Sequence, residues 1–432
     1  MRRLALLIAL PALTCAAPAP DLQLDFPLQC ERLSVEVRDP EVLPGWTVHA
    51  LVVLDESGTR GWVYASDANK RRFVRGWPEG PSTDVTELAQ DGRFDLQPGT
   101  MPGEAWLLYD RPSGARVWRL GDPERGEVQE APDLSEFPGG AGGWTRRLVF
   151  VAHVPHLVAA PPDGEASTLQ LPLARLDRTT LALDDAWTIE FWSTCSEEDE
   201  DDDGDTSGSC VTTPSQFETI REVELLATTQ PDGAAETVVL VGLHAQLVSE
   251  TPDLEPLHDT VISTLTLKPV VGDGPPDAFR HDRLGWTDLV PLAIAPAQVA
   301  TDPEGIFVLG GVEIPPDASL PGLQQDQLLE AEFAGDDGSG FNMPLSYLDR
   351  DLRSHLLQVD GLVALGQFLE GEWRVAPIVR GMNGTVGVDV DRVADLPVPA
   401  GTTARGAGFG HFVLVSPDAP AQRVTLGCAA DE

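Results

Sequence analysis

The stretch "LVVLDESGTRGWVYA" at residues 51–65 reads as an apolar run, a short polar turn and a second apolar run that carries a tryptophan. At residues 106–120, "WLLYDRPSGARVWRL" repeats this order, with an aspartate, a Ser-Gly pair and an arginine in the same places. Two apolar runs on either side of a turn are typical of a β-hairpin. The repeated phrase therefore predicts a fold that is built from successive hairpins.

Hairpin patterns of the same kind continue to the end of the chain. They cover residues 147–160, 223–248, 305–314, 361–379 and 410–428. Helix patterns are scarce, because 37 prolines and 41 glycines are spread throughout the sequence. Evenly repeated hairpins favour a β-propeller, in which each blade is a small antiparallel sheet. We expect an all-β propeller over residues 29–428 that is closed near its termini, with about seven or eight blades of about 45–55 residues each.

Two other all-β arrangements fit parts of the same pattern. An ordinary β-sandwich also spaces its turns regularly, although 432 residues would need two or three such domains. The stretch "TLALDDAWTIEFWST" at residues 180–194 resembles the strand that opens a laminin-G or concanavalin-like jelly roll. That resemblance would cover about a third of the chain and implies a protein that binds or processes glycans. Sandwich or jelly-roll domains are therefore the alternative fold.

Three tryptophans follow turns within these patterns: Trp62, Trp118 and Trp373. Around the first of them, "DESGTRGW" resembles the Asp-box of sialidase-like propellers, but the interval from Gly58 to Trp62 is one residue too long. We therefore expect the three indole rings to pack between blades rather than to serve as platforms for sugars.

The amino terminus has the features of an export signal. Two arginines precede an apolar run at residues 4–13, which is shorter than the roughly 20 residues that cross a bilayer. "LPALTC" resembles a bacterial lipobox, except that Ala12 and Thr14 replace the usual residues. The resemblance implies a signal peptide at residues 1–14, lipid on Cys15, a spacer at 15–28 and an outer-membrane lipoprotein facing the periplasm or the cell surface. Cleavage near residues 16–19 with secretion is one alternative, and a buried N-terminal strand or helix is another.

Charge and motif content exclude several functions. A formal net charge of −40 and a pI near 4.3 repel nucleic acids and anionic lipid surfaces. An apolar content of 42% is ample for a large core. The sequence has no His-Glu-x-x-His, no Gly-x-Ser-x-Gly and no phosphate-binding glycine loop. We therefore assign no catalytic residues and favour a protein without enzymatic activity.

Four cysteines are left if Cys15 carries lipid: Cys30, Cys195, Cys210 and Cys428. An even number in an exported chain suggests disulfides, and four cysteines allow three pairings. We favour Cys195–Cys210 because it is local, which leaves Cys30–Cys428 to join the two ends of the ring.

The most distinctive local feature lies between Cys195 and Cys210, where eight of the nine residues at 197–205 are acidic. The acidic residues in the alternating pattern are Asp199, Asp201, Asp203 and Asp205. This array resembles the first half of an EF-hand loop and implies Ca²⁺ binding, although Cys210 stands where the closing glutamate belongs. The alternative is a solvated acidic loop held by a disulfide.

Together these patterns predict an exported, lipid-anchored and non-enzymatic β-propeller of the cell envelope that binds an envelope protein or a glycan. The expected partners also include outer-membrane lipid through Cys15, and exclude nucleic acid. The alternative is a glycan-binding or glycan-processing protein with a laminin-G-like jelly roll.

Overall fold

The structure of the chain is a computed structural model in which every regular element of the described part is a β-strand or a short turn. The described residues are 32–86, 92–111, 114–132, 134, 137–138, 143–151, 153–160, 168–193, 217–229, 237–247, 258–268, 270, 274–287, 289–299, 302–312, 330–334, 354–359, 362–369, 371–380, 386–388 and 392–429. The strands are β1 (Arg32–Asp39), β2 (Thr47–Val53), β3 (Gly61–Ser66), β4 (Arg72–Trp77), β5 (Ser82–Asp84), β6 (Arg93–Pro98), β7 (Ala105–Arg111), β8 (Gly114–Leu120), β9 (Val128–Glu130), β10 (Thr145–Val151), β11 (Val154–Ala160), β12 (Thr168–Leu176), β13 (Leu183–Ser193), β14 (Phe217–Thr229), β15 (Thr237–Leu247), β16 (His258–Lys268), β17 (Asp277–Thr287), β18 (Leu289–Val299), β19 (Asp302–Val312), β20 (Glu330–Ala334), β21 (Ser354–Val359), β22 (Leu362–Leu369), β23 (Glu372–Arg380), β24 (Val386–Val388), β25 (Ala394–Pro397), β26 (Thr403–Gly408), β27 (His411–Val415) and β28 (Gln422–Ala429).

The strands are assembled into seven antiparallel sheets that follow one another along the described chain. Most of these sheets are four-stranded meanders, such as β2-β3-β4-β5 and β10-β11-β12-β13. Neighbouring sheets touch through β2 and β6, β7 and β10, β10 and β14, β14 and β18, and β18 and β21, and the ring returns through β25 and β1 and through β26 and β2. The sheets therefore form a closed ring, which confirms the predicted β-propeller.

Both faces of β3 are buried, because its sheet packs between two neighbours. All six residues of β3 are buried. Trp62 and Tyr64 belong to the apolar cluster shared with the β6–β9 sheet, whereas Val63 and Ala65 belong to the cluster shared with the β26–β28 sheet. Successive side chains of a strand point to opposite faces, so one apolar run supplies two cores.

The three tryptophans confirm the prediction that they pack between blades. Trp62, Trp118 and Trp373 are exposed by 0%, 3% and 0%. Trp62 also donates its indole N–H to the backbone oxygen of Gly121, in the neighbouring sheet, at 3.1 Å. Full burial of a large apolar side chain stabilises a fold by roughly 1.5–3 kcal/mol, so these rings are major contributors to the interfaces between sheets.

The first strand of the described chain closes the ring by pairing with the last. β1 runs antiparallel to β28, with Leu33 opposite Cys428 and Val35 opposite Leu426. The sheet order is β1-β28-β27-β26, so residues from both ends of the chain build one sheet. This arrangement places the first and last strands of the described chain in the closing blade, as ring closure requires.

The two copies of the repeated phrase are both hairpins, but they are not equivalent. The first forms β2 and β3, the first two strands of their sheet, whereas the second forms β7 and β8, the middle two of theirs. The repeated phrase therefore identifies hairpins, but it does not show where each blade begins. The stretch that resembles a jelly-roll strand contains β13, which is the last strand of its four-stranded meander.

One end of the ring carries the site described below. Thr47 at the start of β2 pairs with Ser66 at the end of β3, which in turn pairs with Arg72 at the start of β4. The starts of β6, β10 and β26 lie close together, because Arg405 of β26 contacts Phe94 of β6 and Arg147 of β10 pairs with Asp95 of β6. We call this end the upper face. The described residues include no helix that is long and apolar enough to span a membrane.

Candidate functional site

A β-bulge places a histidine at the upper face, between two sheets. Val48 pairs with Ala65 and Ala50 pairs with Tyr64, so His49 is the extra residue of β2. Bulges of this kind redirect a side chain out of the regular alternation. The imidazole of His49 consequently lies against the rings of Tyr64 and Phe94, with centroid distances of 5.4 and 6.0 Å. Its Nε2 shares a hydrogen bond of 3.0 Å with Oγ of Ser66.

Two arginines flank this aromatic group. Tyr64 and Phe94 contact each other at 4.3 Å between ring centroids. The guanidinium of Arg72 lies 5.9 Å from the Tyr64 ring and donates to the Tyr64 hydroxyl at 2.9 Å. The guanidinium of Arg405 lies 5.5 Å from the Phe94 ring. These residues, His49, Tyr64, Arg72, Phe94 and Arg405, are called the upper-face cluster below.

A third arginine beside the cluster is already neutralised. Arg147, near the start of β10, forms an ion pair of 3.3 Å with Asp95, near the start of β6. Asp95 also attracts the guanidinium of Arg405 at longer range. No carboxylate of the described residues lies within 4 Å of the guanidinium of Arg72 or Arg405. With His49 neutral, the five-residue cluster carries the two positive charges of its arginines in a chain of net charge −40.

The electrostatics of the cluster keep its histidine neutral. Burial, together with the positive charges of Arg72 and Arg405, lowers the pKa of His49 to about 4. Desolvation lowers the pKa of Arg405, and the attraction of Asp95 opposes that change. Burial raises the pKa of Tyr64 despite its hydrogen bond from Arg72. At neutral pH the cluster is therefore a pair of cations around an uncharged aromatic group.

A second polar group joins the closing strand to the ring. Arg423 of β28 donates from Nε to Asp39 of β1 at 2.5 Å and from Nη1 to Nδ1 of His411 at 3.0 Å. Because Nδ1 accepts, the proton of the neutral His411 ring is on Nε2, which donates to the backbone oxygen of Glu56 at 3.2 Å. Arg423 also lies 4.8 Å from the Trp77 ring. We call these residues the closure network, and both the guanidinium of Arg423 and the imidazole of His411 have structural partners in it.

Other buried ion pairs are also structural. Arg146 and Asp110 are exposed by 2% and 9%, and the guanidinium of Arg146 donates both to Asp110 and to backbone oxygens. Glu104 accepts hydrogen bonds from Arg119 at 2.6 Å and from Arg178. The Asp110–Arg146 and Glu104–Arg178 pairs link neighbouring sheets, and each buried carboxylate is compensated by an arginine, which is the condition for such a pair to be tolerated.

The residues predicted from the sequence to be functional lie largely outside the described part. Cys428 lies in β28, opposite Leu33, but its side chain is outside the described residues. The others lie wholly outside: Cys15, Cys30, Cys195, Cys210, Asp199, Asp201, Asp203 and Asp205. Among the residues that the structure describes, no group of three or more His, Cys, Asp or Glu side chains could hold a metal ion.

Sequence reasoning did not find the upper-face cluster. Its members come from β2, β3, β4, β6 and β26, and ring closure brings Arg405 beside residues more than 300 positions earlier. The sequence holds one signal for this site. Two charged residues, Asp95 directly after Phe94 and Arg405, interrupt the strand patterns near the starts of β6 and β26.

Comparisons with known proteins add the following findings. No protein-family model matches the chain, and no curated protein matches it. The β-propeller domain of Vanderwaltozyma polyspora Nup133 aligns with a TM-score of 0.42 and 7% identity, over 92% of this chain and 98% of that one. The WD40 domain of SCAP from fission yeast aligns with a TM-score of 0.38 and 7% identity, over 93% and 99%.

A lectin is among the similar structures as well. SapL1 in complex with α-methyl fucoside aligns with a TM-score of 0.36 and 9% identity, over 83% of this chain and 98% of that one. At this level of similarity the neighbours carry no argument about function, and the propeller assignment rests on the sheet order and the closed ring described above.

Proposed function

We propose that this protein is an exported, lipid-anchored β-propeller that binds a partner at its upper face and has no enzymatic activity. The observation that carries the binding function is the upper-face cluster, in which two arginines flank the Tyr64–Phe94 pair at one end of the ring. Aromatic rings and arginines are the residues that contribute most to binding surfaces. Export and anchoring rest on the sequence of residues 1–15.

The chemistry of the upper-face cluster disfavours a catalytic function. The contact between His49 and Ser66 has the distance of a nucleophile and its general base. However, a histidine whose pKa is about 4 is a weak base, and both nearby arginines oppose the imidazolium that proton transfer would form. Ser66 itself is only 8% exposed. We therefore favour binding over hydrolysis.

The binding function is tested with arrays of purified envelope glycans and envelope proteins, probed with wild type and with Arg405→Gln. We expect retention of one class of ligand by the wild type and weaker retention by the variant. An ester-hydrolysis assay is run beside it on wild type and Ser66→Ala. Turnover of an ester by the wild type that is lost in Ser66→Ala would contradict the proposal and identify an enzyme.

Lipid anchoring has its own test. Cys15→Ala should abolish labelling by a fatty-acid probe and release the protein from the membrane fraction. Membrane attachment that is unchanged in Cys15→Ala would remove the lipoprotein assignment, and secretion or periplasmic residence would replace it.

Two further proposals concern residues 195–210 and the chain ends. Cys195–Cys210 and Cys30–Cys428 are proposed as disulfides, because the first is local and the second would join segments next to the paired strands β1 and β28. The loop closed by the first is proposed to bind Ca²⁺ through its alternate aspartates. Both are tested among the predictions below.

A further inference from the structure

The cations of the upper-face cluster lack the carboxylate partners that several of the protein's buried or bridging arginines have. Arg146 and Arg423 each form an ion pair with a carboxylate at 2.9 Å or less, and Arg119 binds Glu104. Arg72 and Arg405 have, among the described residues, aromatic rings and a phenol as their contacts instead. This difference exists in a chain that has 69 acidic residues against 29 basic ones.

From this contrast we infer that the upper-face cluster binds an oxyanion, with Arg72 and Arg405 as its cationic contacts and the half-buried ring of Phe94 as the surface for the rest of the ligand. The inference rests on the proposed binding function and specifies its ligand chemistry. The oxyanion can be the carboxylate of an acidic sugar, a sulfate or a phosphate, because a guanidinium fork donates in parallel to all three.

The geometry supplies free donors for such a group. Arg72 uses one N–H of its guanidinium for the Tyr64 hydroxyl, and no other described side chain accepts a hydrogen bond from its guanidinium. Arg405 is an exposed residue of β26 whose guanidinium reaches across β2 to Phe94 of β6. Both cations act electrostatically on His49, so each lies within electrostatic range of its imidazole.

The groups around the site set its affinity and selectivity. Among the described residues, Asp95 is the carboxylate that acts on Arg405, and its ion pair with Arg147 reduces its competition with a bound anion. Phe94 is half-buried and packs on Tyr64, so its ring is held rigid for a sugar or another flat group. The acidic charge of the whole chain repels polyanions at long range, which favours a ligand with one or two negative charges.

The experiment is isothermal titration of the full mature protein with sodium phosphate, sodium sulfate and sodium glucuronate, and with glucose as the uncharged comparison. We expect at least one oxyanion to bind and glucose not to bind. Arg405→Gln should weaken binding about ten-fold or more, because it removes a charge-assisted contact, and Arg405→Lys should restore part of it. Arg116→Gln is the matched control, since it removes the same charge from an exposed arginine that pairs with Glu130.

A second readout separates anion binding from a structural role of Arg405. A bound oxyanion offsets the positive charges that lower the pKa of His49, so the NMR titration of His49 should move to higher pH when the ligand is present. The anion with the highest affinity shows whether the natural ligand carries a phosphate, a sulfate or a carboxylate. Equal affinity of Arg405→Gln and wild type, or no binding of any anion, would overturn the inference. Retention of a neutral glycan or protein on the arrays in that case would leave the binding function itself intact.

Discussion

Gly58→Ala should destabilise the protein far more than the same change at another glycine of similar backbone conformation. Gly58 has a φ of +63°, and an added Cβ would lie 2.0 Å from Nη1 of Arg423 and 2.4 Å from Cε1 of His411. Arg423 cannot move aside freely, because Asp39 and His411 bind it and the Trp77 ring packs on it. The methyl group would therefore break the closure network.

The size of the effect follows from two contributions. An alanine in the left-handed region costs about 1 kcal/mol relative to glycine. Displacing Arg423 from its carboxylate and imidazole partners costs a further 1.5–3 kcal/mol, roughly the value of a hydrogen bond to a charged group. We expect a total of about 2.5–4 kcal/mol. Gly45→Ala is the matched control, because Gly45 has a φ of +78° and no atom within 4 Å of an added Cβ, so its cost should be about 1 kcal/mol.

Urea unfolding of wild type and both variants at neutral pH, followed by tryptophan fluorescence, measures the two losses. The free energy of unfolding should fall by about 2 kcal/mol more in Gly58→Ala than in Gly45→Ala. Equal losses in the two variants would refute the packing of Gly58 against Arg423 and His411, and with it this description of how β1, β27 and β28 are held together.

Three more predictions concern pH, calcium and disulfides. Burial lowers the pKa of His156 to about 4, so between pH 6.5 and 4 the unfolded chain binds a proton that the folded protein does not. Stability should therefore fall as the pH is lowered from 7.5, by about 2 kcal/mol at pH 5 from this group, and His156→Gln should lack that part of the decline in urea titrations. Calorimetry with millimolar Ca²⁺ should give binding heat for the wild type and none for the variant in which Asp199, Asp201 and Asp203 are all changed to asparagine. Equal heats for the two proteins would show that the segment is a solvated acidic loop without bound Ca²⁺. Peptide mapping without reduction should recover residues 195 and 210 in one linked pair and residues 30 and 428 in another, and a link from residue 30 to the acidic loop would contradict both.

The repeated hairpins and the burial of the tryptophans could be predicted because they depend on local pattern. An apolar run of the β2 type has to be a strand that is buried on both faces, and a turn such as that at residues 55–60 has to reverse it. The strand at which each blade begins could not be predicted in this way. The same phrase fits the first and second strands of one sheet and the second and third of the next, because all of these strands are buried on both faces.

The upper-face cluster was beyond the reach of sequence patterns for two physical reasons. His49 faces Tyr64 and Phe94 because a bulge shifts it out of the alternation, and a single extra residue in a strand leaves no distinct pattern. Arg405 joins the cluster only because the ring closes, which depends on the sum of all the blade angles. The acidic loop and the cysteines were conspicuous in the sequence because their signal is compositional, and their roles stay predictions.

The closed ring is the central feature of the fold, and a designed disulfide between β1 and β28 tests that closure directly. Glu36 and Thr425 are opposite each other in the register of these strands, so the double variant Glu36→Cys/Thr425→Cys should form a disulfide without movement of the backbone. Tryptic mapping under non-reducing conditions should link the peptide of residues 33–38, which has no native cysteine, to the peptide of residues 424–432 at position 425. Ser34→Cys/Thr425→Cys, which is two residues out of register because Ser34 lies opposite Gly427, should link much less. A yield for Glu36→Cys/Thr425→Cys that is no higher than for this control would contradict the pairing of β1 with β28 and the closed ring that it completes.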